Sequence, residues 1–230
     1  MKRVYRDAVA GVGEGGYTVE LDGRAVKTPA SRLLVLGNVD LAQAVAVEWA
    51  AQGETIEPDT MPLTRLATTT IDRVSDHRDR VIDEIAAFGA TDLLCYRAAS
   101  PVELAARQAD GWQPLLDWLA DRHGSRLVVT EELTAAGQPE DVLAVLRELV
   151  AEFSTPVLAA LHTITASCGS LIIALALADG RIDAEQAWRL SRIDETYQGE
   201  RWGLDPEIKA QGERLRGEIA AAAHFLELCS

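Results

Sequence analysis

Hydrophobic and polar positions change period once along the chain. Over the first 36 residues the period is two. Tyr17, Val19 and Leu21 alternate with Thr18 and Glu20, Asp22–Gly23 offers a two-residue hairpin turn, and Leu33–Leu36 is a candidate next strand. From Asn38 or Asp40 the period becomes helical. Leu41, Val45, Ala46 and Trp49 share one face, and Gly53 is a stop signal. A proline-marked loop, ETIEPDTMPLT, follows, and Pro62 is placed to open a helix carrying Leu63, Leu66 and Ile71.

The helical period then dominates. Ser100–Glu103 has the form of a capping box with Pro at the first helical position. Further helices are predicted over 110–123, 139–153, 156–178, 184–201 and 206–228, with DLLCYR and RLVVT as short strands or extended links. The pattern predicts an α+β fold. A small β-rich N-terminal domain with one or two helices covers residues 1–80, and a larger helical domain covers 81–230.

Composition narrows the function classes. At 48% hydrophobic the 230 residues can build a core, and a net charge of −14 without a basic run argues against nucleic acid and anionic membranes. Val157–Ala178 carries no charge for 22 residues, but its middle is filled by His162, Thr163, Thr165, Ser167, Gly169 and Ser170. It reads as a buried central helix, with His162 a satisfied core histidine, and no membrane insertion is expected. Cys95, Cys168 and Cys229 are too few and too scattered for a disulfide framework and read as core thiols. Asp92, beside Cys95, is expected to bond local backbone or to pair with Arg97.

Catalytic signatures dissolve on inspection. GVGEGG, Gly11–Gly16, matches a dinucleotide fingerprint in letters, but a strand pattern follows where a helix N-terminus is needed to hold pyrophosphate. The four histidines lack metal-ligand spacing, and there is no phosphate loop and no nucleophile elbow. No cofactor is implied.

The remaining candidate is IDETYQGERWGLDPE, Ile193–Glu207. Gly203, Asp205, Pro206 and Glu207 read as a C-cap, an N-cap and a first turn between two helices. On a continuous helix Leu190, Ile193 and Tyr197 form one face, while Glu195 lies opposite and shares its side with Trp188. Either a second layer of protein covers that face or it meets a partner, and an aromatic beside a carboxylate suits partner recognition better than catalysis. Partner contact is the candidate role of Trp188, Asp194, Glu195, Gln198, Trp202, Asp205 and Glu207. The rival reading is a carboxylate-dependent metal hydrolase built on these acids.

Six ordered stretches carry a resemblance: GYTVELDGRAVKTP (16–29), LAQAVAVEWAAQGETIEPDTMPLTRLATTTIDRV (41–74), TDLLCYRA (91–98), RQADGWQPLLDW (107–118), GSLIIALALADG (169–180) and DETYQGERWGLDPE (194–207). Together they resemble the assembly chaperones that attend the α subunit of the F-type ATP synthase catalytic head. The resemblance implies a β-rich domain followed by a helical one, and no enzymatic activity. It also implies a client, the unassembled α subunit, held until the β subunit takes over. It ranks Glu195 among the residues that matter most and gives Trp49 a docking role for its helix. Tyr197 stands where the family leads one to expect tryptophan. Mitochondrial members carry a targeting presequence, whereas this chain begins almost at its first strand, so a bacterial, cytoplasmic member is expected.

Overall fold

The structure, a computed structural model, describes residues 2–132, 134 and 137–229. It divides into two compact units. One comprises Met1–Arg78, Ser154–Ala160 and His224–Ser230, the other Asp79–Phe153 and Leu161–Ala223.

In the first unit, β1 (Ala8–Gly13), β2 (Gly16–Leu21) and β3 (Arg24–Ala25) form an antiparallel sheet in the order β1-β2-β3. The glycine-rich GVGEGG is the tip of the β1–β2 hairpin, and a strand follows it. At the next turn both Asp22 (φ 49°) and Gly23 (φ 77°) are left-handed, the conformation that Asp-Gly favours between twisted strands. Asp22 also accepts hydrogen bonds from the Arg6 and Asp7 amides, which hold its carboxyl below the usual range.

Leu33–Leu36 does not form the expected strand. Leu33 bridges Lys27 and Leu36 bridges Tyr17, each singly. The Val35 amide bonds back to the Leu33 carbonyl (3.1 Å), so the chain bends at Leu34 and cannot stay in register. Leu34 and Leu36 are still buried.

Helix α1 (Val39–Ala50) starts at Asn38, whose side chain accepts from the Leu41 amide (2.9 Å), and buries Leu41, Ala42, Val45 and Ala46. It ends at Ala50, three residues before the expected stop at Gly53. Trp49 lies edge-on to Tyr5 (5.9 Å) and packs with Ala8 and Leu21 around Tyr5, Ile56 and Met61, so it docks the helix against the sheet region. Helix α2 (Pro62–Thr69) opens at Pro62, continues as a π turn through Val74, and receives its cap from another helix. The Glu48 carboxylate accepts from the Leu63 and Thr64 amides and the Thr64 hydroxyl (2.7–2.8 Å).

The other helices are α3 (Arg78–Ala86), α4 (Val102–His123), α5 (Glu140–Ala151), α6 (Thr155–Cys168), α7 (Leu171–Ala178), α8 (Ala184–Ser191), α9 (Ile193–Trp202) and α10 (Pro206–Cys229). Helix α4 starts earlier than the pattern at 110–123 indicated. The expected capping box is absent, because Pro101 itself takes the extended cap conformation (ψ 157°) and no side chain caps the turn. Pro114 lies inside α4 and removes one intrahelical donor, yet buried Trp112, Leu115, Leu116 and Leu119 hold the helix on both sides of it. Gly124 ends it in the left-handed region.

The predicted helix over 156–178 is two helices. Gly169 (φ 66°) ends α6 and Ser170 restarts the chain as the cap of α7, accepting from the Ile173 amide. The break is buried and its polar groups are met by Asp92. That carboxylate accepts from the Ser170 hydroxyl (2.7 Å) and the Leu94 and Ile172 amides (both 3.1 Å). Burial nevertheless raises its pKa to about 6, against the lowering effect of these bonds. Arg97 bonds the Leu94 and Gln108 carbonyls, so of the two expected partners Asp92 takes backbone. Residues 171–177 are all buried and form the centre of this unit. Cys95 and Cys168 are buried thiols pushed up to about 12. His162 is not a core residue: it is half exposed, with Nε2 3.9 Å from the Glu84 carboxylate. DLLCYR is neither strand nor extended link: Leu93–Cys95 form a 3-10 turn capped by Asp92, and only Tyr96 beyond it meets RLVVT, through one parallel bridge to Thr130. Among the described residues, no helix is long and apolar enough to cross a membrane.

Candidate partner-binding site

The predicted helix over 184–201 is broken at Arg192 (φ −124°, ψ 21°) into α8 and α9. The cause is Trp112 of α4. Its indole N–H donates to the Leu190 carbonyl (2.8 Å), the acceptor that the Asp194 amide would need in a continuous helix. Gly111 makes the approach possible, since a Cβ there would meet Ile193 Cδ1 at 2.8 Å and Leu190 Cδ2 at 3.0 Å.

The break separates residues that periodicity had put on one side. Trp188 is half buried on α8. Its Nε1 donates to the Gly212 carbonyl (3.2 Å) and the Arg216 guanidinium lies over its ring (5.0 Å), both from α10. Glu195 begins α9 and pairs with Arg192 at 2.9 Å, with the Glu195 side chain 39% exposed. The two no longer share a helix face.

Asp194 turns inward. Its carboxylate accepts from Gln108 Nε2 (2.7 Å), and Gln108 Oε1 in turn accepts from the Ala98 amide (2.7 Å). Gln108 is buried, so this bond satisfies a buried amide. Tyr197 is buried with the Arg107 (5.2 Å) and Arg201 (4.7 Å) guanidiniums over its ring, and among the described residues its hydroxyl has no hydrogen-bond partner. Arg107 also pairs with Glu200 at 2.8 Å, which lowers the Glu200 pKa. Residues 107–112 and 190–200 are thus one assembly. Arg107, Gln108, Gly111 and Trp112 were not among the sequence candidates, although RQADGWQPLLDW and DETYQGERWGLDPE are two of the six stretches that carry the resemblance.

The α9–α10 turn matches its local signals. Gly203 (φ 79°, ψ 158°) closes α9 with its amide on the Gly199 carbonyl. The Asp205 carboxylate accepts from the Glu207 amide (2.8 Å), capping α10. Apolar side chains stay partly uncovered here: Trp202 is 75% exposed, Leu204, which rests on Gly199, 46%, and Ile208 43%. Gln198, Glu200, Asp205 and Glu207 are exposed around them. The site is an apolar tip in an acidic setting, held from behind by arginine and glutamine of α4. Among the described residues, no group of three or more His, Cys, Asp or Glu side chains could hold a metal ion.

The chain is similar to known proteins over its whole length. The model of the ATP12 chaperone protein family matches residues 2–120. Protein atp12, mitochondrial, of Schizosaccharomyces pombe is 23% identical over 235 residues, covering 96% of this chain and 81% of that one. The crystal structure of Atp12 from Paracoccus denitrificans is 41% identical, with a TM-score of 0.95 over 100% of this chain and 98% of that chain. An aspartate-to-lysine mutant of the Paracoccus protein superimposes with a TM-score of 0.94 at 40% identity, with the same coverage. With more than half its length inside the family model and this level of identity to solved relatives, the chain belongs to the ATP12 chaperone protein family.

Proposed function

We propose that this protein binds the unassembled α subunit of the F-type ATP synthase catalytic head, keeps it from aggregating, and hands it to the β subunit during assembly. The observation that carries the binding site is the apolar tip at the α9–α10 turn. Trp202, Leu204 and Ile208 are displayed to solvent at a fixed turn instead of being buried. A large aromatic with an acidic rim is the composition of a recognition surface. Glu195, Gln198, Asp205 and Glu207 form that rim, and Asp194 and Trp188 brace it through Gln108 and Gly212. An isolated subunit of a multi-subunit ring exposes apolar interface that aggregates unless covered. The cover must be weak enough for the true neighbour to displace it.

In this reading the protein is a binding protein with no catalytic step, acting in the bacterial cytoplasm. The metal hydrolase alternative would need carboxylates converging on an ion. Asp194 and Glu195 instead spend their oxygens on Gln108 and Arg192.

Trp202→Ala tests the site. The side chain is exposed, so the melting temperature should stay within about 2 °C of the parent. Co-elution with isolated α subunit on size exclusion should weaken at least about tenfold, the scale of losing one aromatic anchor. Unchanged co-elution would place the contact elsewhere.

A further inference from the structure

We infer that a cavity beside the β2–β3 turn, within the first unit, is a second docking site, which takes an apolar side chain of the client standing next to a carboxylate. Its occupant is the client proposed above, so it rests on that reading. The cavity measures about 640 Å³ and is half-open. Its floor is apolar, made by Tyr5, Leu21, Val26, Trp49 and Ile56. The size lies in the range of ligand sites, roughly 300–1,000 Å³. Small ligands bind with most of their surface enclosed, whereas a half-open cavity suits the side chains of a chain segment that passes over its mouth. Val4 stands in the wall and is 89% exposed, more than any other large apolar side chain among the described residues. Apolar surface is thus left uncovered at a concave site, where a partner side chain gains most by burial.

The charges that line the cavity select its occupant. Arg24 and Lys27 are both in the lining, both exposed, and neither makes an ion pair among the described residues. Arg24 is the cross-strand partner of Leu21, and such partners share one face of a sheet. The Arg24 side chain therefore stands on the face where Leu21 packs with Tyr5, Ile56 and Met61. Glu20, one residue from Leu21, points to the opposite face and reaches over Gly11. The one carboxylate in the lining, Asp22, is turned to backbone, accepting from the Arg6 and Asp7 amides at 3.1 and 2.9 Å. Asp7 itself is exposed and lies outside the lining. The Arg3 guanidinium, over the Tyr5 ring at 4.6 Å, adds positive charge beside the floor, with its donors on the Tyr5, Arg6, Ala50 and Gln52 carbonyls. An apolar floor with two unpaired cations fits an apolar side chain that has Asp or Glu beside it, the carboxylate meeting Arg24 or Lys27.

Photo-crosslinking reads the occupant directly. Benzoylphenylalanine placed at Val4 of the full chain, mixed with isolated ATP synthase α subunit, should capture a segment of that subunit in which an apolar residue adjoins Asp or Glu. Capture of a segment rich in Lys and Arg, or of a second copy of this chain, would overturn the proposal. Charge variants read the affinity. Arg24→Glu combined with Lys27→Glu should weaken co-elution with the α subunit by about tenfold or more, while Arg24→Lys combined with Lys27→Arg should stay within about twofold of the parent. Both side chains are exposed, so the melting temperature should not move. Arg126→Glu combined with Arg181→Glu makes the same change in net charge at exposed positions of the other unit and should bind within about twofold of the parent. An equal loss in that control would assign the effect to net charge and overturn the proposal. If the parent binds the α subunit and the Arg24, Lys27 reversal binds as well, the cavity is not a site and the client reading stands. If the parent does not bind the α subunit, both fall together.

Discussion

At the residue scale, the acids near the C-terminus do different work although they are neighbours in sequence. Asp194 satisfies a buried glutamine 86 positions earlier, while Glu195, Asp205 and Glu207 stay at the surface. Asp194→Ala should therefore cost about 1–3 kcal/mol in urea unfolding, the penalty of leaving the Gln108 amide unpaired. A cost near zero would mean that water replaces the carboxylate. Asp92 gives a pH signature. Burial lifts its folded-state pKa to about 6 from the ordinary aspartate value of 3.8, so the folded protein holds the proton more tightly. The stability this contributes is full below about pH 4, falls as pH rises towards 6, and is lost above it. Between pH 4 and 7 the Asp92 contribution should fall by on the order of 2–3 kcal/mol, seen as a parent-minus-Asp92→Asn difference that shrinks over that range. A difference that grows with pH would contradict the assignment. These roles were out of reach of a linear reading, because Gln108, Trp112 and Ser170 meet partners about 80 residues away.

At the scale of elements, local signals were legible and tertiary ones were not. Asn38, Gly124, Gly203 and Asp205 cap where their types and spacings indicated, because a cap involves only a few adjacent residues. The period change from two to 3.6 located the sheet and the helices. Helix breaks at Gly169 and Arg192 were missed because the apolar periodicity runs through them. What stops the helix is a buried partner, Asp92 in one case and Trp112 in the other. Trp188 and Glu195 do not share a helix face for that reason: Trp188 packs against α10 and Glu195 stands in the first turn of α9. Leu33–Leu36 failed as a strand because strand propensity cannot see a backbone bend. The α9–α10 turn offers an element-level test. Gly203 sits at φ 79°, ψ 158°, a region nearly closed to other residues. Gly203→Ala should cost about 1–3 kcal/mol locally and reorient Trp202 and Leu204, so client binding should fall more than that of a surface substitution of equal stability cost. Full stability with full binding would show that the turn tolerates other conformations.

At the scale of the whole molecule, the features fit a holding role. A chaperone that yields its client to a permanent neighbour needs exposed contact surface and no committed core for the client. The apolar tip at the α9–α10 turn is of that kind. It could not be read from composition, since 48% hydrophobic content says how much apolar surface exists and not where it is left uncovered. The family was legible because six ordered stretches carry the resemblance, and two of them, 107–118 and 194–207, hold each other in place in the structure. The central claim is that this protein keeps the isolated ATP synthase α subunit soluble by binding it. Light scattering of isolated α subunit, incubated without ATP with and without an equimolar amount of this chain, tests it most directly. Scattering should stay low, a one-to-one complex should be recovered, and added β subunit should free the chaperone. Scattering that rises equally in both samples would contradict it.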